Sequence, residues 1–159
     1  MTVCFRLVTI VSFLLLVVAY TSSAVTESNT AKNSCPLTQP KWLKPPADSA
    51  IPDPPSYGNY FVNEDQSIWA SAWWTEGEEY ALHAGKEGNK IGWFRPASAE
   101  LAVTGRRLDA KAPPLEFEAP CCYPTRFQAS GLYFPTEGCW EVTAQADDRK
   151  LSFIVWVEP

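Results

Sequence analysis

The sequence predicts an all-β protein, an immunoglobulin-like Greek-key β-sandwich with a proline-rich N-terminal arm. Three observations predict it. Apolar and polar residues alternate with a period of two along much of the chain after residue 57. Turn-forming sequences separate the alternating segments at short, regular intervals. The composition, with 14 prolines and seven tryptophans, favours sheets and loops over helices. A small β-barrel is the alternative architecture.

The first 24 residues have the three parts of a secretory signal peptide. Arg6 precedes an apolar run over residues 7–19, and small residues lead to a cleavage site after Ala24. A membrane-spanning helix needs about 20 apolar residues, and this run is shorter. We therefore expect an exported chain, extracellular, periplasmic or on the cell surface, with no transmembrane segment after the cleavage site. A lipid anchor is disfavoured, because Cys35 lies well beyond the apolar run.

Residues 25–56 are predicted to be a polar lead-in followed by the proline-rich arm. Seven of the 14 prolines lie between Pro36 and Pro55. Because proline fixes φ and lacks a backbone N–H, this stretch is extended and cannot be an interior strand. We expect the arm to lie on the domain with Trp42 and Leu43 as its anchors. A plain linker is the alternative.

Residues 57–159 are the predicted sandwich domain, with about six to eight short strands. The alternation is strongest near the C-terminal end, where Trp140, Val142 and Ala144 share one face. A turn at residues 147–149 then makes the last two strands antiparallel neighbours. The predicted strands, in order, cover residues 68–74, 80–84, 90–95, 101–108, 127–134, 139–145 and 151–157.

Charge and motif content exclude several functions. The formal net charge is −5, and nucleic-acid affinity comes mostly from basic residues, so no nucleic-acid partner is expected. The sequence has no Gly-x-Ser-x-Gly elbow, His-Glu-x-x-His motif or glycine-rich phosphate loop. The acidic residues at 76–79 and 147–148 fall in turns, which indicates solvated loops rather than paired catalytic carboxylates or a calcium site. We expect no enzyme, no catalytic residue, no cofactor and no metal site. A small hydrolase using His83 with Ser71 or Ser130 is the least favoured function.

The cysteines predict two disulfides, because four follow the signal and an even number in an exported domain reads as paired. The candidates are Cys35, Cys121, Cys122 and Cys139. Of the three possible pairings, one would join the neighbours Cys121 and Cys122 in a strained ring. The favoured schemes therefore join Cys35 and Cys139 separately to that adjacent pair.

Two adjacent arginines predict a structural ion pair. Arg106 and Arg107 occupy neighbouring strand positions and therefore point to opposite faces. An arginine that points inward needs a carboxylate or carbonyl partner. Glu141, on another strand, is the candidate. We expect this pair to tie two strands together rather than to bind an anion.

Aromatic side chains are concentrated in one short part of the chain. On a continuous strand, Trp69 and Trp73 would point to one face and Trp74 to the other. One face must be core, and the other is either covered by the arm, which we favour, or open to a partner. An open face would stack sugar rings or grip a peptide. The candidate ligand-binding residues are Trp69, Trp73, Trp74, Tyr80 and Trp93.

Several strings carry a resemblance. Residues 134–142 read FPTEGCWEV, residues 105–109 read GRRLD, and residues 35–38 read CPLT. They resemble a family of uncharacterised exported bacterial proteins and lipoproteins with a predicted immunoglobulin-like domain. The resemblance implies export and this fold, and it supplies no catalytic residues. The doubled cysteine at 121–122 departs from the pattern, so no disulfide pairing is carried over.

These observations predict an exported, non-enzymatic binding or structural protein of the cell envelope or the extracellular space. The expected partner is a protein or a polysaccharide at the cell surface. The alternative is a carbohydrate-binding module that uses the tryptophan-rich face. The fold alone does not choose between them, because a sandwich hosts many functions.

Overall fold

The structure, a computed structural model, describes residues 31–48, 57–77, 79–120 and 123–159. The predicted signal peptide and residues 49–56 of the arm lie outside these described residues, as do Cys121 and Cys122. The chain divides into two units, Met1–Ser34 and Cys35–Pro159. In the first, the described residues 31–34 form a helical turn. The strands belong to the second.

The predicted all-β class is confirmed. Within the described residues the second unit contains ten strands and one short 3₁₀ helix, Trp73–Thr75. The strands are β1 (Lys41–Leu43), β2 (Gly58–Val62), β3 (Trp69–Ser71), β4 (Leu82–His83), β5 (Asn89–Phe94), β6 (Leu101–Arg107), β7 (Glu116–Glu118), β8 (Phe127–Tyr133), β9 (Gly138–Ala146) and β10 (Arg149–Glu158). The sequence does not indicate β1, β2 and β7, of which β1 and β7 are three-residue strands at the edges of a sheet.

The strands of the described residues form two sheets that pack face to face. The six-stranded sheet has the order β1-β2-β3-β5-β8-β7, and the four-stranded sheet has the order β4-β10-β9-β6. The pairing of β4 with β10 is parallel, whereas β9 and β10 form an antiparallel hairpin. Asp147 adopts a positive φ of 53° in the turn of this hairpin. The prediction that the last two strands are antiparallel neighbours is therefore confirmed.

The main core lies between the two sheets and follows the period-two pattern. Phe61 of β2 stacks on Phe153 of β10, with ring centroids 4.4 Å apart, and so joins the two sheets. Trp140, Val142 and Ala144 are fully buried, as their alternation predicts. Burial of side chains of this size is the main favourable contribution to folding.

The outer face of the six-stranded sheet carries a second apolar cluster. Tyr60, Trp69 and Phe94 are buried there, and their rings contact one another edge to face or at a tilt. These residues alternate along β2, β3 and β5 with residues that point into the main core. Both faces of the central part of this sheet are therefore apolar and covered.

The described part of the arm includes the edge strand β1, which pairs with β2. Leu43 packs on the outer-face cluster, as an anchor would, but Trp42 remains 61% exposed. The prediction that Trp42 is an anchor is wrong, because adjacent strand residues point to opposite faces and only Leu43 faces the cluster. Farther along the arm, Asp48 forms an ion pair with Arg126, at 2.8 Å.

Cys35 forms a disulfide with Cys139 of β9, with Cα atoms 5.6 Å apart. The favoured schemes, which joined each of them to the adjacent pair 121–122, are therefore wrong. The reason lies in the path of residues 35–38 beside β10. The Thr38 amide donates to the Ile154 carbonyl at 3.0 Å, and the Ile154 amide donates to Thr38 Oγ1 at 2.8 Å. This docking brings Cys35 to the end of the β9–β10 hairpin.

Candidate functional site

Two of the five predicted ligand-binding aromatics are structural. Trp69 belongs to the outer-face cluster, and its Nε1 donates to the Gln66 carbonyl at 2.7 Å. Trp93 is fully buried in the main core, and its Nε1 donates to Ser130 Oγ at 2.8 Å. Because both lie on inner strands of a sheet covered on both faces, they are not part of a ligand surface. For these two residues the structure corrects the sequence-based assignment.

Trp73 and Trp74 lie on the 3₁₀ helix rather than on a strand, because β3 ends at Ser71. Thr75 Oγ1 donates to the Ala72 carbonyl at 2.6 Å, which closes this turn of helix. Trp73 and Trp74 are both half-buried, and Trp74 packs against the main core. The prediction that these tryptophans alternate across one strand is therefore wrong.

Four aromatic side chains are accessible near the start of β2 and the 3₁₀ helix, and we call them the aromatic end: Trp42, Tyr57, Trp73 and Tyr80. Trp42 and Tyr57 stack with planes 11° apart and centroids 6.4 Å apart, and they are 61% and 53% exposed. Trp73 and Tyr80 meet edge to face at 5.9 Å.

Asn59 links β2 to the 3₁₀ helix that carries Trp73. It lies opposite Trp42 in the β1–β2 register, and its Nδ2 donates to Thr75 Oγ1 at 2.9 Å. Its backbone amide donates to Glu76 Oε1 at 3.2 Å. Burial, with a smaller contribution from the charge of Glu76, raises the pKa of the neighbouring Tyr60. Glu76 therefore places one carboxylate near the aromatic end.

Sequence analysis missed Tyr57 and gave Trp42 a different role. A signal was available for Trp42, since it neighbours Leu43 in an extended segment and only one of two adjacent residues can face the domain. Tyr57 offers no comparable signal, because it follows a segment rich in proline whose path the sequence does not determine.

His83 is not joined to either serine considered for a hydrolase. Its Nδ1 lies 2.9 Å from the Pro159 carbonyl. Ser71 Oγ accepts from the Gly92 amide, and Ser130 Oγ accepts from the Trp93 indole. Among the contacts of the described residues, the structure assembles no Ser–His pair from these side chains.

The two adjacent arginines have different partners. Arg106 Nε lies 2.7 Å from Glu141 Oε2 on the outer face of the four-stranded sheet, where the Arg106 side chain is 72% exposed. Arg107 is the more buried of the two, and its Nε donates to Asp109 Oδ1 at 2.7 Å. The inward-facing arginine is therefore Arg107, with Asp109 as its carboxylate, whereas Glu141 pairs with the exposed Arg106.

We expect the Arg106–Glu141 pair to contribute little to stability. A double-mutant cycle with Arg106→Ala and Glu141→Ala should give a coupling free energy of about 0.5 kcal/mol, because solvent and salt screen exposed pairs. Urea denaturation at low and high salt measures it. A coupling several times larger, unchanged by salt, would contradict a surface role.

Sequence analysis also missed Arg95, which directly follows β5 and is 2% exposed. A signal was available, because Ile91, Trp93 and Arg95 occupy every second position and so share one face of the strand, and the first two are core residues. Arg95 is one of the residues that line a cleft of about 710 Å³.

Comparison of the chain with protein-family models, curated proteins and solved structures gives no match. In the part of the chain that the structure describes, no helix has the length and apolar character that crossing a membrane requires. Three or more metal-ligating side chains do not come together anywhere among the described residues.

Proposed function

We propose that this chain is an exported, non-enzymatic binding protein of the cell envelope or the extracellular space, and that the aromatic end contacts its partner. The observation that carries the proposal is the parallel pair Trp42 and Tyr57, each more than half exposed. Large aromatic side chains grouped on a surface mark interaction sites, because their apolar area gains free energy when a partner covers it. The Cys35–Cys139 disulfide supports an oxidising location.

Local contacts restrain parts of the aromatic end, which favours binding. Trp42 is held by the pairing of β1 with β2. Trp73 Nε1 donates to the Lys90 carbonyl at 2.8 Å, and the Trp73 and Tyr80 rings contact each other edge to face. Rigid aromatic side chains lose little conformational entropy when a partner docks on them. This surface is therefore suited to a stable contact.

A protein on the cell surface is the first candidate partner, and a polysaccharide is the second. The planes of Trp42 and Tyr57 differ by only 11°. Because the rings stack on each other, each keeps one outer face, and an exposed aromatic face is apolar area of the kind on which sugar rings stack. This observation favours a carbohydrate-binding module as the alternative function.

Replacing Trp42 and Tyr57 together by alanine should weaken binding at least about tenfold, since central aromatic contacts commonly contribute 2 kcal/mol or more. The measurement is binding of fluorescently labelled protein to envelopes isolated from the producing organism, and to a panel of immobilised polysaccharides. Leu108→Ala, at another exposed apolar side chain, is the matched control and should bind like the unchanged protein.

Protease treatment of the envelopes separates the two partner classes. Loss of binding after protease treatment identifies a protein partner. Retained binding, together with binding to a purified polysaccharide, identifies a carbohydrate. If the double variant binds envelopes and polysaccharides as well as the unchanged protein does, the aromatic end is not the contact surface and the proposal fails.

A further inference from the structure

Arg95 is a buried cation whose partners in the described structure are all neutral. Its Nε donates to Gln128 Oε1 at 2.7 Å, and its Nη2 donates to the Tyr123 carbonyl at 2.9 Å. Its Nη1 donates to the Pro96 carbonyl at 2.8 Å and more weakly to the Thr125 carbonyl at 3.4 Å. No carboxylate of the described residues lies within 4.0 Å of this guanidinium.

The positive charge of Arg95 is therefore incompletely compensated. Burial lowers the pKa of Arg95, and the more distant charge of Asp147 opposes that effect. A guanidinium nonetheless stays protonated in proteins, so the charge remains in the interior. A buried charge is costly unless an opposite charge accompanies it. An anion that reaches Arg95 would supply that charge.

Unused hydrogen-bond donors accompany this charge. A guanidinium has five N–H groups, and the four bonds of Arg95 leave one on Nη2 free to donate. Gln128 is 5% exposed, and its Oε1 accepts from Arg95. No described residue accepts from its Nε2. Arg95 and Gln128 thus each keep an unused N–H donor, the two side chains are joined by the 2.7 Å bond from Arg95 Nε to Gln128 Oε1, and both residues line the cleft. Two adjacent N–H donors match the two oxygens of a carboxylate.

The rest of the cleft fits a ligand that has an apolar body and a single negative charge. Its volume of about 710 Å³ is in the range of small-molecule sites. Phe117 and Leu101 contribute apolar walls, and exposed Glu100 lies at the rim. The negative charge of Glu100, and the net charge of −5, act against a multiply charged anion such as phosphate.

We propose that this cleft binds a small monocarboxylate with an apolar or aromatic body, its carboxylate on Arg95 and Gln128 and its body against Phe117. The site is separate from the aromatic end. Trp73 of the aromatic end is bonded to Lys90, near the start of β5, whereas Arg95 directly follows the end of β5. At the rise of a strand, Lys90 and Arg95 are about 16 Å apart. The proposal therefore stands or falls independently of the proposed function.

Phenylacetate is the probe that tests the inference. It is titrated into the purified protein by calorimetry, with saturation-transfer NMR as a second measurement. Phenylacetate should bind with a Kd near or below about 1 mM. Phenylacetamide, which has the same body without the charge, should bind at least about tenfold more weakly, and inorganic phosphate should not compete. Equal binding of phenylacetamide, or competition by phosphate, overturns the carboxylate class.

The variant Gln128→Glu tests the site while keeping a side chain of nearly the same size at this buried position. It places a carboxylate beside Arg95, so the fold should be kept while phenylacetate binding falls at least about tenfold. Gln39→Glu makes the same charge change at an exposed position and should bind phenylacetate normally. Circular dichroism checks that both variants are folded. No binding of phenylacetate to the unchanged protein, or equal binding to a folded Gln128→Glu variant, overturns the proposal.

Discussion

Replacing Cys35 and Cys139 together by alanine is expected to lower the free energy of unfolding by about 4 kcal/mol. Their disulfide joins residues 104 positions apart, so it closes a loop that contains most of the second unit. In the chain-entropy model, a cross-link over a loop of this length removes many conformations from the unfolded ensemble and stabilises the folded state accordingly. A loss of this size is a large fraction of the stability of a typical domain.

Urea denaturation of the unchanged protein and of the double variant, both without reductant, measures this loss. The double variant leaves neither Cys35 nor Cys139 free to form a different disulfide. Thr38→Ala is the control for docking of the same segment. It removes the bond from the Ile154 amide to Thr38 Oγ1 and should cost only about 1 kcal/mol. If the double variant costs no more than this control, the cross-link does not stabilise the fold.

The period-two alternation made most of the strands predictable. Trp140, Val142 and Ala144 could be assigned inward from the sequence because backbone geometry alone fixes which side chains share a face. The partner of Cys35 could not be assigned in this way. It depends on two hydrogen bonds between Thr38 and Ile154, which are far apart in the chain and carry no sequence signature.

The candidate sites were less predictable, because alternation shows which residues share a face but not what covers it. Trp69 was expected on a ligand surface, but the outer face of its sheet carries a second buried cluster. Arg95 shares a face with Trp93, so its burial could have been predicted. Its role could not, because its acceptors include carbonyls of Tyr123 and Thr125, in a loop distant along the chain.

Trp93→Ala is expected to lower the free energy of unfolding by about 4 kcal/mol, the range for truncating a fully buried tryptophan. Trp93 is fully buried, its ring packs against Phe153, and its Nε1 donates to Ser130 Oγ. Truncation removes apolar contacts between the two sheets and leaves a cavity. It also leaves the Ser130 hydroxyl without this donor. Trp42→Ala, at a side chain that is 61% exposed, should cost less than about 1 kcal/mol.

Urea denaturation of Trp93→Ala, Trp93→Phe and Trp42→Ala tests this order of stabilities. Trp93→Phe keeps much of the apolar volume but loses the bond to Ser130, so it should fall between the other two, at about 2 kcal/mol. Equal costs for Trp93→Ala and Trp42→Ala would contradict the placement of Trp93 in the core. The expected order also bears on function. If Trp42→Ala leaves the fold intact, a loss of envelope binding by this variant reports the contact surface and not unfolding.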